Sequence, residues 1–214
     1  MVKDSGVEPH RPPTPKVKIC GLSRLEDIDA ANRALPDYIG FVFAPSRRRI
    51  DEVTAIKLKE RLSSRIKVVG VFVNQDIEVI ANLYVRGVID IVQLHGDEDE
   101  DYIDSLKDRY DCPVIKAVGV GEVLPPLPVK ADYLLFDTLS QQRGGTGVAF
   151  DWGLLRGYTG LPYFLAGGLN FQNVIETIFT ICPYCVDVSS GVETNGLKDA
   201  DKIYEFVHSV RDYR

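Results

Sequence analysis

The stretch KVKIC at residues 16–20, followed by Gly21, decides the fold because it opens a pattern that repeats along the chain. Its apolar, partly β-branched residues predict a buried strand, and a helical pattern begins just after it at Arg24. A cysteine at the mouth of a strand, followed by glycine, leaves room around its sulfur for a ligand. Taken alone, however, Cys20 is more typical of a small apolar filler than of a reactive thiol.

From Lys16 onward, short runs rich in Val, Ile and Phe alternate with amphipathic helical runs. Little polar alternation within the short runs is typical of strands buried on both faces. The predicted strands are residues 16–20, 38–43, 67–74, 91–95, 113–118, 133–137, 162–166 and 185–189. The predicted helices are residues 24–35, 51–62, 76–86, 99–110, 151–158, 171–181 and 199–213. Prolines within 121–130 predict only a short or broken helix there.

Eight strand–helix units in a chain of this length predict a single (β/α)8 TIM barrel of near-minimal size. A doubly wound open sheet is the alternative, but eight parallel strands would make it unusually wide. The barrel is expected to occupy residues 16–214 as the catalytic domain. Residues 1–15, rich in proline and charge, are expected to form a flexible tail.

Composition and charge limit the classes of partner. The formal net charge is −6, so no nucleic-acid partner is expected. Residues 1–15 contain no apolar signal-peptide core, and no apolar run approaches the length of a membrane span, so no membrane partner is expected. Four cysteines in 214 residues do not suggest a disulfide framework, which favours a reducing, cytoplasmic location.

Barrel enzymes place their catalytic groups at the C-terminal ends of the strands and in the loops that follow. The strand ends, with residues two positions earlier that share their faces, supply one ring of polar side chains. The ring contains Lys18, Cys20, Asn74, Gln93, His95, Asp137, Asp187 and Ser189.

Within this ring, Asp137 ends a strand that reads YLLFD. Apolar walls are expected to raise the pKa of its carboxyl, and Asp187 from the next-but-one strand is expected to raise it further. A carboxyl that holds its proton suits a general acid. The alternative for either residue alone is a loop-bracing or helix-capping aspartate.

The loops after the seventh and eighth strands read AGGLN at 166–170 and SSGVE at 189–193. Barrels often bind a phosphate here through backbone N–H groups, so this interpretation is favoured over simple tight turns. The loop QRGGTG at 142–147 suits a lid or a second phosphate cradle, or a plain connector. Arg47, Arg48 and Arg49 suit a carboxylate or phosphate, with one arginine expected to face the site and the others solvent.

The motif CPYC at 182–185 occurs in glutaredoxins, but here it ends a helix and opens a strand, so both cysteines are interpreted as structural. No metal site is expected, because there is no second cysteine pair and the histidines are scattered.

Taken together and in order, nine stretches make the chain resemble the phosphoribosylanthranilate isomerase family of tryptophan biosynthesis, over nearly all of residues 16–214. They are VKICGL at 17–22, GFVFAPSRR at 40–48, VGVFVN at 69–74, VQLHGDE at 92–98, IKAV at 115–118, LLFDT at 134–138, GGTG..FDW at 144–152, AGGLN..NV at 166–174 and VDVSSGVE at 186–193.

The resemblance implies an eight-fold β/α barrel that performs an Amadori rearrangement of a small phosphorylated substrate without metal or cofactor. It implies that Cys20 is the general base, that Asp137 is the general acid and that Arg48 binds the anthranilate carboxylate, with Arg47 or Arg49 as alternatives. Lys18, His95 and Asp187 would line the site. The implied phosphate contacts are Gly145, Gly147, Gly168, Asn170, Ser190 and Gly191.

The two implied roles require a protonated carboxyl and a deprotonated thiol at neutral pH, so the pKa of Asp137 is expected to be raised and that of Cys20 lowered. Lys18 and the positive loops are expected to help the thiolate, and the alternative is that substrate binding activates the thiol. The rival functions are another phosphosugar isomerase barrel, such as that of histidine biosynthesis, and a non-catalytic phosphate-binding or thiol-redox protein. The sequence leaves monomer and homodimer both open.

Overall fold

Eight parallel strands pair in the order of the sequence, and the eighth pairs with the first to close a barrel. The structure, a computed structural model, describes residues 12–139 and 150–212. The barrel strands are β1 (Lys16–Cys20), β2 (Tyr38–Val42), β3 (Lys67–Phe72), β4 (Ile91–Leu94), β5 (Val114–Val120), β6 (Tyr133–Thr138), β7 (Tyr163–Leu165) and β8 (Cys185–Val188). The predicted TIM barrel is therefore confirmed, and the open sheet is excluded.

Six α-helices cover the outside of the barrel in the described residues: α1 (Leu25–Ala34), α2 (Glu52–Arg61), α3 (Ile77–Val85), α4 (Glu100–Tyr110), α5 (Val174–Ile181) and α6 (Ala200–Asp212). Aspartates start four of them. The side chains of Asp51, Asp76, Asp99 and Asp199 accept hydrogen bonds from backbone N–H groups in the first turns of α2, α3, α4 and α6. Each cap satisfies a donor that the helix itself leaves unpaired.

One predicted helix is shorter than expected, and another is absent. Residues 151–158 form only a four-residue 3-10 helix, Trp152–Leu155, which ends before Gly157 with its positive φ of +74°. Residues 121–130, all of them described, contain no helix of any kind, because prolines 125, 126 and 128 lack the N–H that a helix needs. A two-stranded hairpin that the sequence did not predict, β9 (Glu193–Thr194) with β10 (Leu197–Lys198), follows β8.

The barrel interior contains an apolar layer directly beneath the polar strand ends. Its buried members include Tyr38, Ile91, Leu135 and Cys185. The last three lie two residues before Gln93, Asp137 and Asp187, and so point to the same face of their strands. This apolar layer keeps water away from the buried side of the polar strand ends. Large pKa shifts are therefore expected for the ionisable groups there. A separate, larger cluster fills the space between strands and helices.

Cys185 fits the structural role that the sequence predicted, since it is a buried member of this layer. Cys182 instead ends α5 in a left-handed conformation and is exposed. The predicted tail at 1–15 lies mostly outside the described residues, as do Gly145 and Gly147. Within residues 12–139 and 150–212, no helix has the length and apolar character needed to span a membrane.

Candidate active site

Cys20 is the last residue of β1 and pairs in register with Gly40 of β2. A Cβ atom at Gly40 would lie 2.7 Å from the Cys20 sulfur, so the missing side chain makes the space for the thiol. Gly21 follows with a φ of +82°, and a side chain there would collide with Arg48. The two glycines thus leave Cys20 half-buried at the mouth of the barrel, with Arg48 above it.

Lys18 and Asp187 form a buried ion pair in the barrel interior. The two residues are register partners on β1 and β8, and Lys18 Nζ lies 2.7 Å from Asp187 Oδ2. Burial opposes the charge on Lys18, but the charge and hydrogen bond of Asp187 together with the charges of Cys20 and Cys185 outweigh it and raise the pKa of Lys18. Lys18 is therefore a fixed positive charge on the face that also carries Cys20.

The expected lowering of the thiol pKa is wrong for the free protein. Burial raises the pKa of Cys20 above its ordinary value, and the positive charges of Lys18 and Lys198 offset this only in part. The negative charge of Asp187, which Lys18 already neutralises, also acts to raise it. The unliganded site therefore holds Cys20 as a thiol.

Asp137 behaves as the sequence predicted. Burial raises the pKa of its carboxyl to about 6, against the lowering effect of a 2.8 Å hydrogen bond that the Thr138 N–H donates to Oδ1. The Asp187 charge raises the pKa further. A Cβ at Gly167 would lie 3.1 Å from Oδ1, so the loop after β7 packs against this side of the carboxyl, and Oδ2 is the oxygen on the other side.

His95, directly after β4, faces that other oxygen. Its Nε2 lies 3.6 Å from Asp137 Oδ2, and its Nδ1 lies 2.9 Å from the side-chain nitrogen of Gln93. Gln93 also accepts a 2.9 Å hydrogen bond from Lys18 Nζ. The Asn74 side chain instead exchanges hydrogen bonds with Asp97 and makes none of these contacts.

The three consecutive arginines differ in their environments. Arg48 donates two hydrogen bonds to Glu193, of 2.7 and 3.1 Å, and only 14% of its side chain is exposed. Arg47 reaches the same carboxylate at 2.6 Å but is more than half exposed. Arg49 is exposed to solvent. Arg48 is thus the arginine that packs over the site, at Gly21.

Glu193 and Lys198 are site residues that the sequence analysis missed. Lys198 Nζ donates hydrogen bonds to Glu193 at 2.9 Å and to the Ser189 carbonyl at 2.8 Å. Although burial opposes its charge, hydrogen bonds from Arg48 and the charge of Lys198 keep the pKa of Glu193 low. Glu193 is the last residue of the stretch VDVSSGVE at 186–193, so the resemblance to the family could have identified it as a site residue. Lys198 lies in the hairpin that the sequence did not predict.

The loops after β7 and β8 touch each other. Gly168 has a φ of +73°, and a Cβ at Gly191 would collide with the Leu169 carbonyl, so the backbones meet closely. The Gly168 carbonyl is held by the side chains of Asn170 and Asn173, at 3.3 and 2.9 Å. Ser190 starts a short 3-10 helix, Ser190–Val192.

Several backbone donors remain available at this junction. In the described part of the chain, the N–H groups of Gly168, Ser190 and Gly191 make no backbone or side-chain hydrogen bond. An oxyanion that approaches the two loops would find unused donors, as phosphate sites of barrels do. Among the same residues, no three His, Cys, Asp or Glu side chains are grouped to hold a metal ion.

Comparisons with known proteins agree on one family. A sequence model described as "N-(5'phosphoribosyl)anthranilate (PRA) isomerase" matches residues 17–209. The chain is 52% identical over 198 residues to the N-(5'-phosphoribosyl)anthranilate isomerase of Endomicrobium trichonymphae, a match that covers 92% of this chain and 98% of that protein.

Solved structures give the same result. The phosphoribosyl anthranilate isomerase of Thermotoga maritima matches with a TM-score of 0.80 and 36% identity, covering 92% of this chain and 99% of that one. A phosphoribosyl anthranilate isomerase in complex with reduced 1-(o-carboxyphenylamino)-1-deoxyribulose 5-phosphate matches with a TM-score of 0.79 and 34% identity, covering 92% and 99%.

Proposed function

The chain belongs to the N-(5'-phosphoribosyl)anthranilate isomerase family, and from this premise we propose that Cys20 and Asp137 are the base and the acid of its reaction. The protein is an isomerase of tryptophan biosynthesis. Its substrate is N-(5-phosphoribosyl)anthranilate, and the product is 1-(2-carboxyphenylamino)-1-deoxyribulose 5-phosphate. The rearrangement moves hydrogen within the sugar and needs one proton donor and one proton acceptor.

Asp137 acts first, by protonating the oxygen of the furanose ring. The ring C–O bond breaks, the amine nitrogen supplies the electron pair, and an iminium ion forms. A carboxyl with an ordinary pKa would have no proton to give at neutral pH. The pKa of about 6 at Asp137 keeps a useful protonated fraction available, and burial is its physical cause. This raised pKa at the end of β6 is the observation that carries the proposal.

Cys20 then removes the proton from C2′ of the iminium ion, and the electron pair of the C–H bond becomes the enolamine double bond. The enolamine tautomerises to the ketone product. Because burial raises the pKa of the free thiol, the thiolate forms only after substrate binds. The positive iminium ion and the cations Lys18 and Lys198 favour that ionisation.

The charged ends of the substrate have separate partners in this proposal. Arg48 binds the anthranilate carboxylate in a fork, and it exchanges part of its contact with Glu193 to do so. The phosphate takes the unused N–H groups of Gly168, Ser190 and Gly191. Gly145 and Gly147, which lie outside the described residues, are proposed as further phosphate contacts.

The test is the decay of fluorescence of freshly generated N-(5-phosphoribosyl)anthranilate. Cys20→Ser should bind substrate normally and lose about 10²-fold or more of kcat. Cys182→Ser is the matched control, since Cys182 is exposed at the far end of α5, and its turnover should equal that of the wild type. Equal rates for Cys20→Ser and the wild type would eliminate Cys20 as the base. Consumption of the histidine-pathway isomerase substrate alone would favour the rival phosphosugar barrel.

A further inference from the structure

Four side chains form a continuous polar chain across the barrel from β1 to β6. Lys18 Nζ donates to Gln93 Oε1 at 2.9 Å, and Gln93 Nε2 lies 2.9 Å from His95 Nδ1. His95 Nε2 lies 3.6 Å from Asp137 Oδ2. The far end is anchored by the buried ion pair between Lys18 and Asp187. Lys18 and Gln93 are both buried, so neither end of the amide can turn to water instead.

The donors and acceptors along this chain allow only one arrangement. A lysine ammonium has protons and no acceptor, so the atom of Gln93 that faces Lys18 must be the oxygen. The amide NH2 group therefore faces His95 Nδ1, which must accept. An imidazole whose Nδ1 accepts is neutral and carries its proton on Nε2. That proton points towards Asp137 Oδ2.

We propose that Gln93 is a positioning residue that holds His95 as the neutral Nε2–H tautomer, so that His95 donates a hydrogen bond to Asp137 once that carboxyl has released its proton. The proposal rests on the proposed role of Asp137 as the acid. Gln93 itself touches no reacting atom; it acts through the histidine.

The geometry around Asp137 explains how the contact with His95 changes when the protonated, reactive form of the carboxyl releases its proton. Oδ1 already accepts from the Thr138 N–H, so the acidic proton belongs on Oδ2. While Oδ2 is protonated it is a weak acceptor for the Nε2–H group of His95, and the 3.6 Å between Nε2 and Oδ2 is longer than a hydrogen bond. After proton transfer the new charge on Oδ2 attracts Nε2–H. A contact made as charge develops lowers the barrier and not only the substrate affinity.

The decisive measurement is the nitrogen-15 NMR spectrum of the imidazoles in the labelled protein at neutral pH. The chain has only three histidines, and His95→Asn assigns the relevant signals. In the wild type, Nε2 of His95 should carry the proton and Nδ1 should be an acceptor. A proton on Nδ1, or a doubly protonated ring, would overturn the proposal without the need for any other variant.

Two substitutions of Gln93 extend the measurement. Gln93→Met keeps the length and removes both hydrogen bonds, so the two tautomers should mix. Gln93→Glu supplies a carboxylate that accepts from Nδ1–H, so both nitrogens should be protonated. His208, stacked on Tyr204 in α6, is the internal reference whose signals should not change. A tautomer ratio for His95 that is the same in Gln93→Met and the wild type would contradict the role of Gln93.

Kinetics separate positioning from a general loss of stability. Gln93→Met should lower kcat by about 10- to 100-fold, which is the effect expected from losing a hydrogen bond to a charged group. KM should stay within about twofold of the wild-type value. The matched control is Tyr163→Phe, which removes a buried 2.6 Å hydrogen bond to Ile181 outside the site and should leave kcat unchanged. An unchanged kcat in Gln93→Met refutes the inference but leaves the proposed function intact. Full turnover by Asp137→Asn refutes the proposed function instead, whatever the tautomer.

Discussion

Asp137→Asn should make the folded protein more stable while it removes the proposed acid. The pKa of Asp137 is raised from 3.8 to about 6, so ionising it costs the folded protein more than the unfolded chain. Each pKa unit corresponds to about 1.4 kcal/mol, which makes the penalty about 3 kcal/mol when both states are ionised. The Asn oxygen can still accept the hydrogen bond from the Thr138 N–H, so little else is lost.

The sign of the pH dependence follows from the two pKa values. Below a pH of about 4 the carboxyl is protonated in both states, and the penalty is absent. As the pH rises from about 4 to 6, the unfolded chain ionises first, and the wild type loses stability. The variant has no such group. Its advantage in the free energy of unfolding should therefore be about 3 kcal/mol at pH 8 and roughly half of that at pH 5.

Urea unfolding at the two pH values measures this difference directly. Asp108→Asn, which removes an exposed carboxylate of α4, is the control and should change the free energy of unfolding by less than about 0.5 kcal/mol at either pH. If Asp137→Asn is no more stable than the wild type at pH 8, the carboxyl is not held in a destabilising environment. Burial would then not explain how Asp137 keeps a proton for acid catalysis.

Other predictions concern substrate binding and the pH profile. Arg48→Met should raise KM about 10- to 100-fold with little change in kcat. Arg49→Met, which replaces an exposed side chain, is the control and should change neither constant. If Arg48→Met leaves KM unchanged, Arg48 does not bind the carboxylate. Gly191→Ala should lower the free energy of unfolding by about 1–3 kcal/mol and raise KM, because its Cβ meets a backbone carbonyl that has little room to move; calorimetry with an inorganic phosphate titration checks both. The ratio kcat/KM should rise up to about pH 6, the pKa of Asp137, and then stay level to beyond about pH 8.5, because the pKa of Cys20 lies above its ordinary value. Between the two pKa values, each rise in pH removes protons from Asp137 and from Cys20 in equal proportion, so the fraction of protein with a protonated acid and a deprotonated base does not change. A fall in kcat/KM already at pH 7 would contradict this.

The barrel was predictable because its signals are local. Runs such as residues 68–72 are apolar throughout, which only a strand covered on both faces requires, and aspartates stand where helices start. The predicted strands at 67–74 and 185–189 are longer than the observed ones, which end at Phe72 and Val188. The polar residues that follow each buried run already belong to the loop, and the sequence pattern does not mark where the strand stops. The helix predicted at 151–158 failed because two glycines weaken its amphipathic pattern.

The site was predictable only as far as strand ends reveal it. Alternation places Asp137 and Asp187 on the interior face, and the apolar run before Asp137 explains the direction of its pKa. The contact of Glu193 with Arg48 joins the loop after β8 to the loop after β2, and no local pattern encodes such a meeting. The raised pKa of Cys20 depends on a balance between burial and charges that only the packed barrel defines.

The role of Asp137 is tested by the decay of freshly generated N-(5-phosphoribosyl)anthranilate with the wild type, Asp137→Asn and Asp108→Asn side by side. We expect the wild type and Asp108→Asn to consume the substrate much faster than buffer does. We expect Asp137→Asn, although folded and more stable, to be slower by about 10²-fold or more. Turnover by Asp137→Asn close to that of the wild type would contradict the assignment of the acid.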